Sequence, residues 1–152
     1  MVTRPDPERL QVWRAFLEAH ATITARLATE LEAERDVPLA WYDVMVQLVE
    51  AGGRLRMQEL AGRMLIHKSS LTRLIDRMES AGFVRREPCV EDGRGHYAVI
   101  TRDGRETFRR AAPLHLRGIQ REFGKHLTDS DVVALQRVFA KLPGGAWRTD
   151  DE

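Results

Sequence analysis

The chain has a single cysteine, Cys89, in 152 residues. An intramolecular disulfide is therefore excluded, and a reducing compartment, the cytoplasm, is expected. It also has no apolar run approaching the roughly 20 residues that a bilayer-spanning helix needs, so no membrane partner is expected. Met1-Val2-Thr3-Arg4-Pro5-Asp6-Pro7-Glu8 leads into no apolar h-region, which argues against a secretory signal. Enzyme signatures are missing too. No Ser/His/Asp set, paired carboxylates or zinc-helix pattern occurs, and the five histidines are scattered, so neither catalysis nor a cofactor is expected. Cys89, Asp92 and His96 are ligand types without a recognised tetrahedral spacing, and no metal site is read from them.

Net charge is almost absent as well: 24 Lys/Arg stand against 23 Asp/Glu. That balance hides an asymmetry. Between Arg54 and Arg110 there are 13 basic and 8 acidic residues, while the remainder holds 11 basic and 15 acidic. A basic middle between acidic flanks is the footprint of a protein that meets a polyanion with its centre. What is present is otherwise globular, with 43% hydrophobic and 31% charged residues and a length that suits one domain.

Apolar periodicity predicts a mainly α (α+β) chain. Trp13, Phe16, Leu17, His20, Ile23, Leu27 and Leu31 recur at helical spacing over Glu8 to Arg35. Pro38 opens a second helix carrying Trp41, Val44, Met45, Leu48 and Val49, which Gly52-Gly53 stops. A third helix runs over about Met57 to Met64. After Leu65-Ile66-His67 a fourth spans Lys68 to Ala81, with Leu71, Leu74, Ile75 and Met78 on its buried face. The period then changes. Phe83–Pro88 and His96–Thr101 read as strands of a hairpin with a charged, glycine-bearing tip. Helical spacing returns from Asp103, with a kink predicted at Pro113, and Thr128-Asp129-Ser130-Asp131 opens a last helix by a capping-box pattern with Asp in place of Glu. The acidic end, Thr149 to Glu152, reads as frayed.

Helix, three-residue turn, helix and hairpin make a winged helix-turn-helix. Opposite Leu71 on the fourth helix lie Ser69, Arg73, Asp76 and Arg77, flanked by Lys68, Ser70 and Thr72. Short hydroxyls bond phosphates or base edges, and arginine takes both major-groove acceptors of a guanine, so this face suits double-stranded DNA. A merely solvated helix face is the competing reading; the hairpin and the charge segregation favour DNA. The long first and last helices carry more apolar stripe than the small centre can cover. Residues 1–35 and 104–152 are therefore expected to form a dimerisation region around a DNA-binding region at 36–103, in a homodimer.

The run Ser70-Leu71-Thr72-Arg73-Leu74-Ile75-Asp76-Arg77-Met78-Glu79-Ser80-Ala81-Gly82-Phe83-Val84-Arg85-Arg86, the wing Glu91-Asp92-Gly93-Arg94-Gly95 and the stretch Ile100-Thr101-Arg102-Asp103-Gly104-Arg105 resemble the MarR (multiple antibiotic resistance regulator) family of winged-helix repressors. The resemblance covers about Trp13 to Leu142. It implies that the helix from Lys68 lies in the major groove, that Arg94 enters the minor groove and that Asp92 holds it there. A narrow minor groove concentrates negative potential, which fits that role for arginine. Two positions depart from the pattern. His67 stands where a Ser-like N-cap is usual, so that His67 itself is a candidate phosphate contact, and Gly93 replaces an arginine often found in the wing.

The resemblance also implies a small, aromatic or anionic effector between the dimerisation helices and the winged region, which releases the repressor from a pseudo-palindromic operator. Candidates to line its pocket are Trp13, Phe16 and His20 of the first helix and Trp41, Tyr42 and Met45 of the second; aromatic and Met residues at helical spacing also serve as plain core. Two alternatives stay open: a winged-helix protein-interaction module without specific DNA binding, and a redox-responsive regulator using Cys89.

Overall fold

The computed structural model describes residues 3–91 and 93–144. Asp92 and the acidic end at 149–152 lie outside them. The order is α1 (Pro7–Arg35), α2 (Leu39–Glu50), β1 (Arg54–Arg56), α3 (Met57–Met64), α4 (Lys68–Ser80), β2 (Val84–Pro88), β3 (His96–Ile100), α5 (Arg102–Glu122), a 3-10 turn (Gly124–His126) and α6 (Asp129–Phe139). This is the mainly helical winged helix-turn-helix read from the sequence. Residues 1–116 and 117–152 form two compact units.

Local chemistry sets the boundaries in the first unit. The Asp6 carboxylate accepts the Arg9 N–H at 2.8 Å and caps α1, with Pro7 in the first turn, where no amide donor is needed. The same bond holds the Asp6 carboxyl below the usual carboxylate range. Gly82, at φ 84°, lets the chain leave α4 and turn into β2, a conformation costly for any residue with a Cβ. Thr101 then caps the turn into α5: its hydroxyl donates to the Gly82 carbonyl at 2.6 Å and accepts the Gly104 N–H at 3.1 Å.

The sheet is antiparallel, in the order β1-β3-β2. β2 and β3 form the expected hairpin, from Val84 opposite Ile100 to Pro88 opposite His96. The third strand is an addition to the sequence reading: Leu55 of β1 pairs with Ala98 and is its one buried residue. Three residues with a single apolar centre carry too little period-2 signal to be seen beforehand. Met45 and Leu48 of α2, Leu60 of α3, Leu71, Ile75 and Met78 of α4, and Val84 and Ala98 of the sheet share one core, so α2, α3 and the sheet together cover the apolar stripe of α4.

α1 contributes less to this core than its stripe implies. Only Leu27 and Leu31 are buried, while Trp13 is 54% exposed and Phe16 and Leu17 are also open to solvent. α5 continues as one helix past Pro113. In the second unit the expected capping box is formed: the Thr128 hydroxyl oxygen accepts the Asp131 N–H at 3.2 Å, and the Asp131 carboxylate accepts the Thr128 N–H at 2.9 Å. The Thr128 hydroxyl also donates to that carboxylate, which keeps the Asp131 carboxyl below its usual range.

Candidate DNA-binding surface

The buried stripe of α4 leaves His67, Lys68, Ser69, Ser70, Thr72, Arg73 and Arg77 exposed along one helix. The structure therefore brings together every DNA-contact residue proposed on α4. Their hydrogen bonds are local. Thr72 donates its hydroxyl to the Lys68 carbonyl at 2.9 Å, which leaves the oxygen lone pairs outward as acceptors, and Arg73 Nε reaches the Ser69 carbonyl at 3.5 Å. His67 occupies the N-cap position but its side chain makes no capping bond. The first-turn N–H groups of α4 are thus available to an anion.

Arg86 on β2 fixes this helix against the wing, and sequence reasoning missed it. Its guanidinium donates to Asp76 at 2.7 Å, to Glu79 at 3.0 Å and to the Thr72 carbonyl at 3.2 Å, and its own N–H donates to the other Glu79 oxygen at 2.8 Å. Asp76, read from the sequence as part of the outward face, is exposed but engaged by this fork. The signal was present as an acidic pair at i and i+3 on the helix with an arginine on the next strand, yet the pairing required the strand register. Arg85, beside it, is held by Glu87 at 2.7 Å.

Arg94 lies in the wing and is exposed. Its proposed partner Asp92 is outside the described residues. Cys89, at the base of the wing, is only 3% exposed, and its N–H donates to the Gly95 carbonyl at 3.2 Å. It opens the charged tip of the hairpin, and its side chain is buried there. Among the described residues no group of three or more His, Cys, Asp or Glu could hold a metal ion.

The six effector candidates fall into two groups. Trp13, Phe16 and His20 form a ladder on α1, with ring centroids 6.2 and 6.4 Å apart. In α2, Met45 is fully buried in the core, Trp41 packs edge-on to Phe83 at 5.6 Å, and Tyr42 stacks on Phe108 at 5.4 Å and meets His115 at 4.5 Å. His115 was not singled out beforehand. Its Nδ1 is buried with no hydrogen-bond partner, and burial pushes its pKa down, opposed in part by Glu30. Burial likewise pushes the Tyr42 hydroxyl up, helped by Asp43 and Glu50.

An exposed hydroxyl-and-cation helix, braced by a strand and followed by a wing that presents Arg94, defines a DNA-binding winged helix-turn-helix. Comparison with known proteins agrees. A model of the MarR family matches residues 35–95. The fold is shared with AbsC, a MarR family transcriptional regulator from Streptomyces coelicolor, at 34% identity over 91% of this chain and 93% of that one, with a TM-score of 0.84. Sco3205, a MarR family regulator from the same organism solved in complex with DNA, is 31% identical and covers 100% of this chain and 96% of its own, with a TM-score of 0.89. The multiple antibiotic resistance protein MarR of Escherichia coli is 26% identical over 117 residues, 77% of this chain and 81% of its own. The chain belongs to the MarR family: it is a DNA-binding transcriptional regulator and not an enzyme. Among the described residues no helix is long and apolar enough to cross a membrane.

Proposed function

We propose that the chain is a homodimeric repressor that binds a pseudo-palindromic operator in double-stranded DNA and is released by a small aromatic or anionic effector. The observation that carries the DNA reading is the outward row Ser69, Ser70, Thr72, Arg73 and Arg77 on a helix braced by Arg86. Arg73 and the hydroxyls read base edges; His67, Lys68 and the first-turn amides meet phosphates; Arg94, positioned by Asp92, enters the minor groove. Replacing Arg73 by Ala tests this. A bidentate base contact is worth about 1–3 kcal/mol, and its loss also flattens the preference among single-base operator variants. A loss of affinity with unchanged preference assigns Arg73 to phosphate instead.

Dimerisation through residues 1–35 and 104–152 is supported by the exposed Trp13, Phe16 and Leu17 of α1 and, in the second unit, by the exposed Val132, Val133 and Val138 of α6. Sedimentation at micromolar concentration is expected to give a dimer, and a monomer there would remove the shared-helix reading. The effector is best placed where Tyr42, Phe108 and the unpartnered Nδ1 of His115 meet, because an aromatic molecule bearing a hydroxyl both stacks there and satisfies that nitrogen. Of the six candidates, Tyr42 borders this spot, Met45 is buried in the core, Trp41 packs on Phe83, and Trp13, Phe16 and His20 are assigned to the dimer face.

A further inference from the structure

His115 projects from α5 onto α2, where its ring centroid lies 4.5 Å from that of Tyr42, and Tyr42 in turn stacks on Phe108 of α5 at 5.4 Å. The His115 Nδ1 is closed off from water and has no hydrogen-bond partner. We propose that His115 is a proton-operated latch between α5 and α2, by which mild acid loosens the winged region and releases DNA. The proposal rests on the DNA-binding reading above and adds the proton as an effector. A neutral ring leaves one buried nitrogen unbonded, which is a moderate cost. An imidazolium carries N–H donors at both nitrogens, so the buried one becomes a charged donor with no acceptor, at a much larger cost. From α1, Glu30 acts on the ring and favours the cation, but offsets the effect of burial only in part. From α2 the titratable neighbour is Tyr42, whose hydroxyl lies in the fields of Asp43 and Glu50. The cation therefore leaves the Tyr42 and Phe108 rings for water, and the contact between α2 and α5 is lost with it. Tyr42 shares its core with Met45 of α2 and with Leu71, Ile75 and Met78 of α4, so a shift of α2 reaches the recognition helix. DNA selects the arrangement with the ring packed and the proton selects the other, and linkage makes that opposition reciprocal. The packed ring has a pKa below the ordinary 6.5, so DNA affinity falls as pH drops through that range.

The first arm of the test contains no DNA and needs no variant. In the full chain, the ring signals of His115, Tyr42 and Phe108 are followed by NMR from pH 7.5 to 5.0. One shared titration of all three rings is expected. A His115 ring that does not titrate in this range, or titrates without moving Tyr42 and Phe108, overturns the latch. In the second arm the affinity for an operator duplex is measured at pH 7.5 and 5.5 at constant ionic strength. His67, exposed at the start of α4, binds phosphate better once it takes up a proton, which works in the opposite direction. The comparison is therefore with His115→Gln and His115→Phe, which keep His67 and cannot titrate at position 115. Between the two pH values the wild-type chain is expected to lose affinity by about threefold or more relative to either variant, and its His115 to titrate at lower pH in the complex than in the free chain. Equal pH dependence in all three chains, with the same His115 titration free and bound, overturns the proposal. Equal affinity for operator and scrambled duplexes at pH 7.5 would instead be a failure of the DNA-binding reading, which the first arm does not share.

Discussion

The guanidinium of Arg86 stands 2.7 Å from the carboxylate of Asp76, so the first strand of the hairpin, β2, holds the middle of the recognition helix by a charged fork. The arginine side chain is only 21% exposed, and Glu79 completes the pair at 3.0 Å. Hydrogen bonds between ionised groups run to about 1.5–3 kcal/mol, and partial exposure of the carboxylates discounts this toward about 1 kcal/mol. The functional consequence is larger than that energy, since α4 and the wing must meet the DNA in a fixed relation. Arg86→Ala is expected to lower stability by about 1 kcal/mol in urea unfolding and to weaken operator binding at a temperature where the chain remains folded. Arg86→Lys keeps the charge but not the fork, and is expected to recover only part of the affinity.

Gly104 sits where the first turn of α5 crosses the exit from α4. A Cβ built there would collide with the Phe83 carbonyl oxygen and lie 2.8 Å from Ile100 Cγ1. Backbone cannot yield as a flexible side chain can. Gly104→Ala is expected to destabilise the chain by about 1–3 kcal/mol in thermal or urea unfolding, despite the better helix propensity of alanine.

Leu65 ends α3 with φ 55° and an 81% exposed side chain. A left-handed conformation costs a residue with a Cβ roughly 1–2 kcal/mol, and no burial offsets it here. Asparagine tolerates that region better, so Leu65→Asn is expected to raise stability by about 1 kcal/mol or somewhat less, read from the urea midpoint.

His115 gives a pH dependence whose sign follows from its burial. Its folded pKa lies below the ordinary histidine value of 6.5, so the unfolded chain takes up the proton first as pH falls. The neutral ring's contribution is fully present above about pH 6.5 and is lost as pH falls below it. The wild-type chain is expected to lose more stability between pH 7.5 and 5.5 than His115→Gln does. Parallel curves for the two chains would show that His115 does not titrate in this window.

Much of this was legible in the sequence because the determinants are local. The stripe Leu71, Leu74, Ile75, Met78 fixed which side of α4 faces outward, and the Thr128 and Asp131 pattern specified its own capping box. The wing followed from a change of period around Gly93 and Gly95. What escaped depends on chain segments far apart in sequence. β1 exists because Leu55 finds Ala98, and the bracing role of Arg86 depends on strand register. His115 falls within the helical spacing that begins at Asp103, and only its buried, unpaired nitrogen distinguishes it from a core residue. On α1 the periodicity correctly marked an apolar face, yet Trp13 remains exposed, since periodicity tells which side is apolar and not what covers it.

The central claim, sequence-specific DNA binding through α4 and the wing, is tested most directly by the affinity of the chain for a duplex selected from a random pool, compared with a scrambled duplex across salt concentrations. The expected result is preference for the selected duplex by a factor on the order of 10³ or more, with log affinity falling steeply and linearly in log salt, and a shallower fall for Arg94→Ala. Equal affinity for both duplexes, with little dependence on salt, would contradict it.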